Sequence, residues 1–352
     1  MTHRTQRLSL WASLLSLCIL MTACDDASNK YVSTQSTTQL KIDEVSKGVS
    51  GWPRTLMTSH GPVTLTKQPT RIVSTSVTMT GTLLAIDAPI IGSGATIPNT
   101  NISDDQGFFT QWSEFASKKG LKVLYQTEHN AEAVIRENPD LILISATGGD
   151  SALKLYDQLK DIAPTAVINY GDKSWMQLAK VLGNFIGLEE NANILIDTFN
   201  QQIDQFKEVA TLPPQPTTAL VYYRDGTGGN IWTSESAQGQ LLTQLGFTLS
   251  PIPDSMRGDL SMGKRNDIVI ASGERFPDAL TGNTLLLFAT EPPQEAMVKN
   301  NAYLAETPAI LNNSIYAVGN DTFRLDYFSS SNMIQRLTNL FKKDKHALTS
   351  NP

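Results

Sequence analysis

The stretch from Glu189 to about Ala210 contains neither glycine nor proline. Its apolar residues Ile194, Leu195, Phe199, Ile203 and Phe206 recur at helical spacing and form a stripe. A helix of about 22 residues spans roughly 33 Å, enough to bridge two small domains. It lies near the middle of a 352-residue chain, and on both sides of it short apolar runs alternate with amphipathic ones. That arrangement predicts an α/β protein, two Rossmann-like lobes with mainly parallel sheets joined by a single long helix.

In the first half, Arg71–Ser74, Ile90-Ile91, Leu121–Leu124 and Ala166–Ile168 read as strands, and residues 80–86, 108–119, 132–137 and 151–159 as helices. The strongest strand is Pro139-Asp140-Leu141-Ile142-Leu143-Ile144-Ser145, whose continuous apolar run calls for burial on both faces, as in a parallel sheet. Trp175–Ile186 carries Leu178, Val181, Leu182 and Phe185 at helical spacing and stops at Gly187. In the second half, residues 218–223, 267–271, 285–288 and 315–318 read as strands, with Ile310-Leu311 continuing the pattern. Residues 237–244 and 326–341 read as helices. The division expected is an N-terminal lobe over 51–172, a helical region over 173–212 and a C-terminal lobe over 213–345.

The first 50 residues belong to neither lobe. Arg4 and Arg7 precede a run from Leu8 to Leu20, about 13 residues, where a membrane span needs roughly 20. Met21-Thr22-Ala23-Cys24 then resembles the lipobox of bacterial lipoproteins, which makes residues 1–23 a signal peptide and Cys24 the acylated first residue. Asp25-Asp26 resembles the signal that retains such proteins at the inner membrane. The other reading is an ordinary signal peptide cut near Ala23. Residues 24–50 are rich in Ser, Thr, Gln, Asp and Lys and are expected to form a flexible tether.

Only Cys18 and Cys24 occur, so the body has no disulfide, thiolate site or cysteine nucleophile. The histidines left after cleavage, His60, His129 and His346, are far apart in sequence, which argues against a protein-built metal site. Loss of Arg4 and Arg7 moves the formal charge from −6 to about −8, and such a body has no general affinity for nucleic acid or anionic lipid. No Gly-x-Ser-x-Gly elbow, P-loop or His-Glu-x-x-His occurs, and Gly226-Thr227-Gly228-Gly229 lacks dinucleotide spacing and reads as a turn. The expectation is a non-enzyme without a cofactor.

Pro69–Ser76, followed by Gly81–Pro89 and Pro139-Asp140-Leu141-Ile142, resembles the class III solute-binding proteins that serve iron-siderophore and cobalamin ABC importers. Ser145–Ser151, Asn230-Ile231-Trp232-Thr233 with Glu235–Gln240, and Thr322–Tyr327 narrow the resemblance to the periplasmic branch that binds ferric enterobactin. It covers roughly residues 52–341. The resemblance implies a monomer, with a ligand cleft between the lobes, a ferric catecholate siderophore as ligand, an inner-membrane permease as partner, and iron that arrives already chelated. Glu132 and Glu235 are the docking acids suggested.

A compact trianion with aromatic rims needs cations and flat aromatic faces. Arg324 follows the 315–318 strand, and ligands of open α/β domains sit beyond the carboxyl ends of strands. The matching arginine of the branch binds catecholate, whereas the structural alternative is a pair with Asp321 or Asp326. Trp232 stands in a Gly/Asn/Thr-rich stretch, either stacked on a catechol ring or packed at the edge of the core. Lys264 and Arg265 add charge in a polar loop, with Arg257 and Arg224 weaker candidates. Ser74 to Thr80, including Thr78 and Thr80, is a hydroxyl-rich turn into a helix N-terminus that suits an anion, or is simply a cap. Asp150 is expected to cap the helix after it. Where the branch carries an arginine, this chain has Asn101, so a less highly charged catecholate becomes plausible. Haem or cobalamin is the alternative within the class. A haem binder calls for an axial His or Tyr, and the cleft loops as read here contain no His. An extracytoplasmic hydrolase is the remote alternative.

Overall fold

The computed structural model describes residues 41–256 and 266–343. The leader, Cys24 and most of the tether lie outside them. The tether expected over 24–50 ends early, because β1 (Val45–Lys47) pairs with β2 (Arg54–Thr58), which pairs with β3 (Gly61–Leu65) in a small antiparallel sheet. The strands are only three to five residues long and interleave polar with apolar residues, so composition conceals them. Arg54 fastens the sheet to the spine: its guanidinium donates to Glu189 at 2.9 and 3.1 Å, and Lys47 Nζ reaches the same carboxylate at 3.0 Å.

The first lobe contains β4 (Ile72–Ser74), α1 (Val77–Ala85), β5 (Ile90–Ala95), α2 (Thr110–Lys118), β6 (Lys122–Gln126), α3 (Ala131–Arg136), β7 (Leu141–Ser145), α4 (Tyr156–Leu159) and β8 (Thr165–Ile168). Its five strands run in the order β6-β5-β4-β7-β8, and all pairings are parallel. As the apolar run requires, β7 is central and every residue in it is buried. Burying Leu141, Ile142, Leu143 and Ile144 stabilises the fold by at most about 1.5–3 kcal/mol each.

Two helices follow. Ser174 and Gln177 form a capping box at the start of α5 (Trp175–Ile186), and Gly187 in the left-handed region ends it. The long stretch is α6 (Glu189–Val209), with Glu189 and Glu190 at its positive end. Its buried stripe is Ala192, Ile196, Phe199, Ile203 and Phe206; Ile194, expected in it, is 58% exposed and points to solvent.

The second lobe contains β9 (Thr217–Tyr222), β10 (Gly228–Trp232), α7 (Ala237–Gln244), β11 (Ile268–Ser272), β12 (Thr284–Leu287), α8 (Glu295–Lys299), α9 (Pro308–Leu311), β13 (Ile315–Ala317) and the closing helix α10 (Tyr327–Phe341). Strand order is β11-β10-β9-β12-β13. The sheet is mixed: β10 runs antiparallel to both neighbours, whereas β9, β12 and β13 are parallel. A tight hairpin causes this, with the Asp225 carboxylate accepting from Thr227 N and Oγ1 at 3.0 and 2.8 Å. Ile310-Leu311 ends a short helix, not a strand.

One apolar cluster runs through both sheets and the helices between them, from Leu83 and Leu143 through Phe199 and Phe206 to Leu286 and Phe341. Trp175 meets Phe199 edge-on at 4.9 Å, and Phe206 stacks on Phe247 at 6.3 Å.

Hydrogen bonds from Arg54 chiefly hold Glu189 down at about 2, against an ordinary value of 4.5. A depressed carboxylate contributes stability that is present above its unfolded value and lost as pH falls through the folded one. Glu189→Gln is therefore expected to lower the chemical-denaturation midpoint at pH 7, with the gap to wild type shrinking between pH 4.5 and about 2. A gap that stays constant across that window would contradict the assignment.

Candidate functional site

The loop after β13 is built around one close approach. Gly319 has φ +106°, and a Cβ there would lie 2.3 Å from Arg336 Nη1. Without it, Arg336 on α10 donates to the Val318 carbonyl at 3.0 Å and grips Asp321 at 2.6 and 3.1 Å, while Asn332 donates to Asp321 at 2.9 Å. Asp326 is occupied as well. One of its oxygens accepts from Ser329 N at 2.8 Å to cap α10, and the other accepts from Gln111 Nε2 of the first lobe at 3.2 Å. Both acids that could have paired with Arg324 are thus committed elsewhere, and Arg324 makes no ion pair among the described residues. Its guanidinium carbon instead sits 5.8 Å from the ring centre of Tyr170, across the cleft, and 5.5 Å from that of Phe323.

Three cavities between the lobes meet at Phe323. One of about 590 Å³ has Asn101 and Ile102 on the first lobe facing Tyr222 and Arg224 on the second. Another, about 280 Å³, is walled by Thr78, Tyr125, His129 and Asp150 and closed by Phe323 and Arg324. The third, about 340 Å³, lies between Thr78, Tyr170 and Lys173 on one side and Trp232, Glu235 and Arg324 on the other. Arg324 belongs to the last two. A separate cavity of about 520 Å³ opens beside Arg224, and Asp225 and Glu274 in its wall oppose an anion there.

The first-lobe wall is arranged differently from the expectation. Asp150 does not cap the helix that follows it. Its carboxylate reaches back to α1, accepting from Ser76 Oγ at 2.5 Å and Thr78 N at 3.0 Å, and takes the Tyr170 hydroxyl at 2.8 Å. The α1 N-terminus is therefore filled by the protein's own anion, and a ligand does not find those N–H groups free. Thr80 is fully buried, its hydroxyl bonded to Ser76 O and Ser93 Oγ, because it sits on the inner face of α1 one turn in. It is not a contact residue in this structure. Thr78, two residues from the Ser76 cap, stays half-exposed and lines two cavities.

Trp232 lies at the end of β10, not in a loop, and only 8% of it is exposed. It meets Phe288 edge-on at 6.4 Å, so it packs at the edge of the core while still lining the third cavity. Its Nε1 is buried without a partner. Asn101 is exposed at the cleft mouth. Lys264, Arg265 and Arg257 lie outside the described residues; their chain neighbour Asp267 lines the Trp232 cavity. Sequence reasoning missed Phe323, Tyr170, Tyr125 and His129. The cleft does contain a histidine, contrary to the reading of its loops, since His129 follows β6 at the carboxyl edge of the sheet, where ligands gather. That position was the available signal.

Burial dominates the titration behaviour. It raises Tyr125 well above the ordinary range and pushes Tyr170 up to about 12, so both are neutral hydroxyls at neutral pH. Desolvation, then Lys154, pulls His129 below the usual imidazole value. Among the described residues no group of three or more His, Cys, Asp or Glu is placed to hold a metal ion.

A bilobed α/β body with an interlobe cleft, an unpaired arginine and neutral aromatic hydroxyls is an architecture for capture. Residues 72–322 match the periplasmic binding protein family. The chain belongs to that family. It is 52% identical over 290 residues to the ferric enterobactin-binding periplasmic protein FepB of Escherichia coli O6:H1, covering 82% of this chain and 91% of that protein. The crystal structure of holo-ViuP superposes with a TM-score of 0.74 at 33% identity, over 86% of this chain and 99% of that one. Staphylococcus aureus SirA complexed with staphyloferrin B shares the fold at a TM-score of 0.63 and 19% identity, covering 81% and 97%.

Asp326 is fully buried, which raises its carboxyl to about 6. A raised carboxyl contributes stability that is fully present below its unfolded value of 3.8 and lost as pH rises through about 6. Asp326→Asn keeps a capping oxygen and removes the buried charge. It is expected to exceed wild type in thermal stability at pH 7, with the difference closing as pH falls towards 4. A variant less stable than wild type at pH 7 would show that the charge itself holds α10 to Gln111.

Proposed function

We propose that this protein is the extracytoplasmic solute-binding component of an ABC importer, and that its cleft captures a ferric catecholate siderophore for delivery to an inner-membrane permease. Arg324 carries the reading. It is a guanidinium without an ion pair among the described residues, flanked in sequence by two acids committed elsewhere, and it lies against Tyr170 and Phe323 where the cavities meet. At an effective dielectric near 20, an anion about 4 Å from such a cation gains roughly 4 kcal/mol before desolvation is subtracted. The ligand named for the relative at 52% identity, ferric enterobactin, is an iron chelate of this kind. Iron arrives inside the chelate, and the protein is a monomer without a resident cofactor or catalytic role. Glu132 and Glu235, both exposed, are the proposed docking acids for the permease.

Anchoring rests on the sequence. Cys24 is proposed as the acylated residue that holds the protein at the periplasmic face of the inner membrane.

His129 beside Tyr125 in the cleft favours one second reading, haem, whose iron takes an axial His or Tyr. Titrating purified protein with ferric enterobactin, ferrichrome and haemin, followed by tryptophan fluorescence, separates the two. Preference for haemin would replace the catecholate reading.

Arg324→Ala is expected to weaken ferric catecholate binding tenfold or more, about 1.4 kcal/mol. Unchanged affinity would remove the residue from the site. Cys24→Ser is expected to leave binding intact and to shift the protein from the membrane to the soluble fraction after cell lysis. A variant that stays with the membrane would show that no lipid is attached there.

A further inference from the structure

His129 is the only imidazole among the described residues that lines the cleft cavities, and it shares its cavity with Arg324. Its ring stands edge-on to Tyr125 at 5.4 Å, and Tyr125 is itself fixed by donating its hydroxyl to the Thr75 carbonyl at 2.8 Å. The imidazole is thus held at a wall without a strong counter-ion of its own. The charged groups bearing on it are of both signs. Lys154, beyond β7, disfavours the protonated ring, while a hydrogen bond to the Asp150 backbone, then the charges of Glu128 on its own loop and of Asp150, favour it. Asp150 is shared with Ser76, the Thr78 N–H and Tyr170. Arg324 closes the cavity from the second lobe and adds positive charge. Burial is the largest influence, and the outcome in the empty cleft is a ring held below its usual pKa, hence neutral near pH 7.

A ligand changes that balance. An anion seated against Arg324 occupies the same cavity, and a negative charge within about 4–6 Å favours the charged imidazole. From this juxtaposition we infer that capture of an anionic iron chelate takes up a proton at His129, making it a conditional cation that appears when the anion arrives. The inference rests on the catecholate reading above. The step is a simple acid–base one: solvent supplies the proton, the imidazole holds it on a ring nitrogen, and release of the chelate returns it to water. A fixed cation here would repel Arg324 and Lys154 in the empty protein, whereas a titrating one does so only when compensated. By linkage, affinity rises as pH falls across the interval between the free and bound values of His129, by at most about tenfold per pH unit.

The test is isothermal calorimetry of the full mature protein with ferric enterobactin at pH 7, in phosphate and in Tris, whose ionisation heats differ widely. Wild type is expected to show a buffer-dependent heat corresponding to uptake of up to about one proton. His129→Gln keeps a polar side chain of similar reach, and is expected to bind more weakly with a buffer-independent heat. Binding by wild type without buffer dependence, or equal uptake in the variant, overturns the inference and leaves the catecholate reading standing. Absence of binding in wild type overturns both. As a second readout, the His129 ring protons can be titrated by NMR with the diamagnetic gallium complex of the same siderophore. A ring pKa unmoved by the complex counts against the inference even if the variant proves unstable.

Discussion

The aromatic face of α6 holds the two lobes as one body. Phe199 and Phe206 are almost fully buried, and Tyr327 at the start of α10 meets both Trp175 and Phe199 edge-on. Truncating a buried Phe of this kind typically costs about 3–5 kcal/mol, a large fraction of any domain's stability. The site depends on this packing directly. Arg324 stands three residues before Tyr327, and α10 packs on α1, α2 and α6 as much as on its own lobe. The arginine of the second lobe is therefore positioned by helices of the first. Opening the cleft by separating the lobes would expose this shared apolar cluster, so the structure favours ligand-driven rearrangement of side chains over a wide hinge.

Three further polar links fix the chain near Arg324, and the one from Gln111 crosses between the lobes. Gln111 reaches Asp326, Gln238 Nε2 donates to the Phe323 carbonyl at 3.2 Å, and Ser329 Oγ donates to the Arg324 carbonyl at 2.9 Å. Gly81 belongs to the same joint: a Cβ there would lie 2.6 Å from Asp326 Oδ2 and 2.8 Å from Trp112 Nε1. The backbone of this loop is thus pinned at the Phe323 and Arg324 carbonyls, while the Arg324 side chain makes no ion pair among the described residues. Such a division suits a site that must present a cation accurately without pairing it.

What could be read without coordinates follows the strength of local periodicity. The run Leu141–Ser145 announces a central parallel strand, and the breaker-free stretch after Glu189 announces the spine. The N-terminal sheet was hidden because Arg54 begins β2, and its burial depends on partners far away in sequence, among them Glu189, 135 residues on. Likewise β10 looked like a loop because Gly228, Gly229 and Asn230 have low strand propensity. Its pairing with β9 and β11 overrides that. Arg324 and Thr78 were legible as cleft-lining positions from their place after a strand and at a helix N-terminus, whereas Asn101 came from the family resemblance. Thr80 was not, since the inner face of a nine-residue helix cannot be told from its rim by spacing alone. Asp150 was assigned to the wrong helix because capping rules see only neighbours in sequence, and its partner is α1.

The position of Asp150 bears on how an acidic protein can hold an anion at all. A carboxylate at the α1 N-terminus satisfies Ser76 and the Thr78 N–H, and through Tyr170 it orients the ring over which Arg324 lies. The helix end is therefore spent on structure, and the attraction for a ligand falls to groups that the fold leaves uncommitted. Arg324 is such a group because Arg336 and Ser329 have taken the acids beside it. Phe323 lies beside it with its ring centre 5.5 Å from the guanidinium carbon, and both side chains remain exposed at the cleft. The local placement of a cation that the fold leaves uncommitted, and not the net charge of the chain, then sets the potential in this part of the cleft.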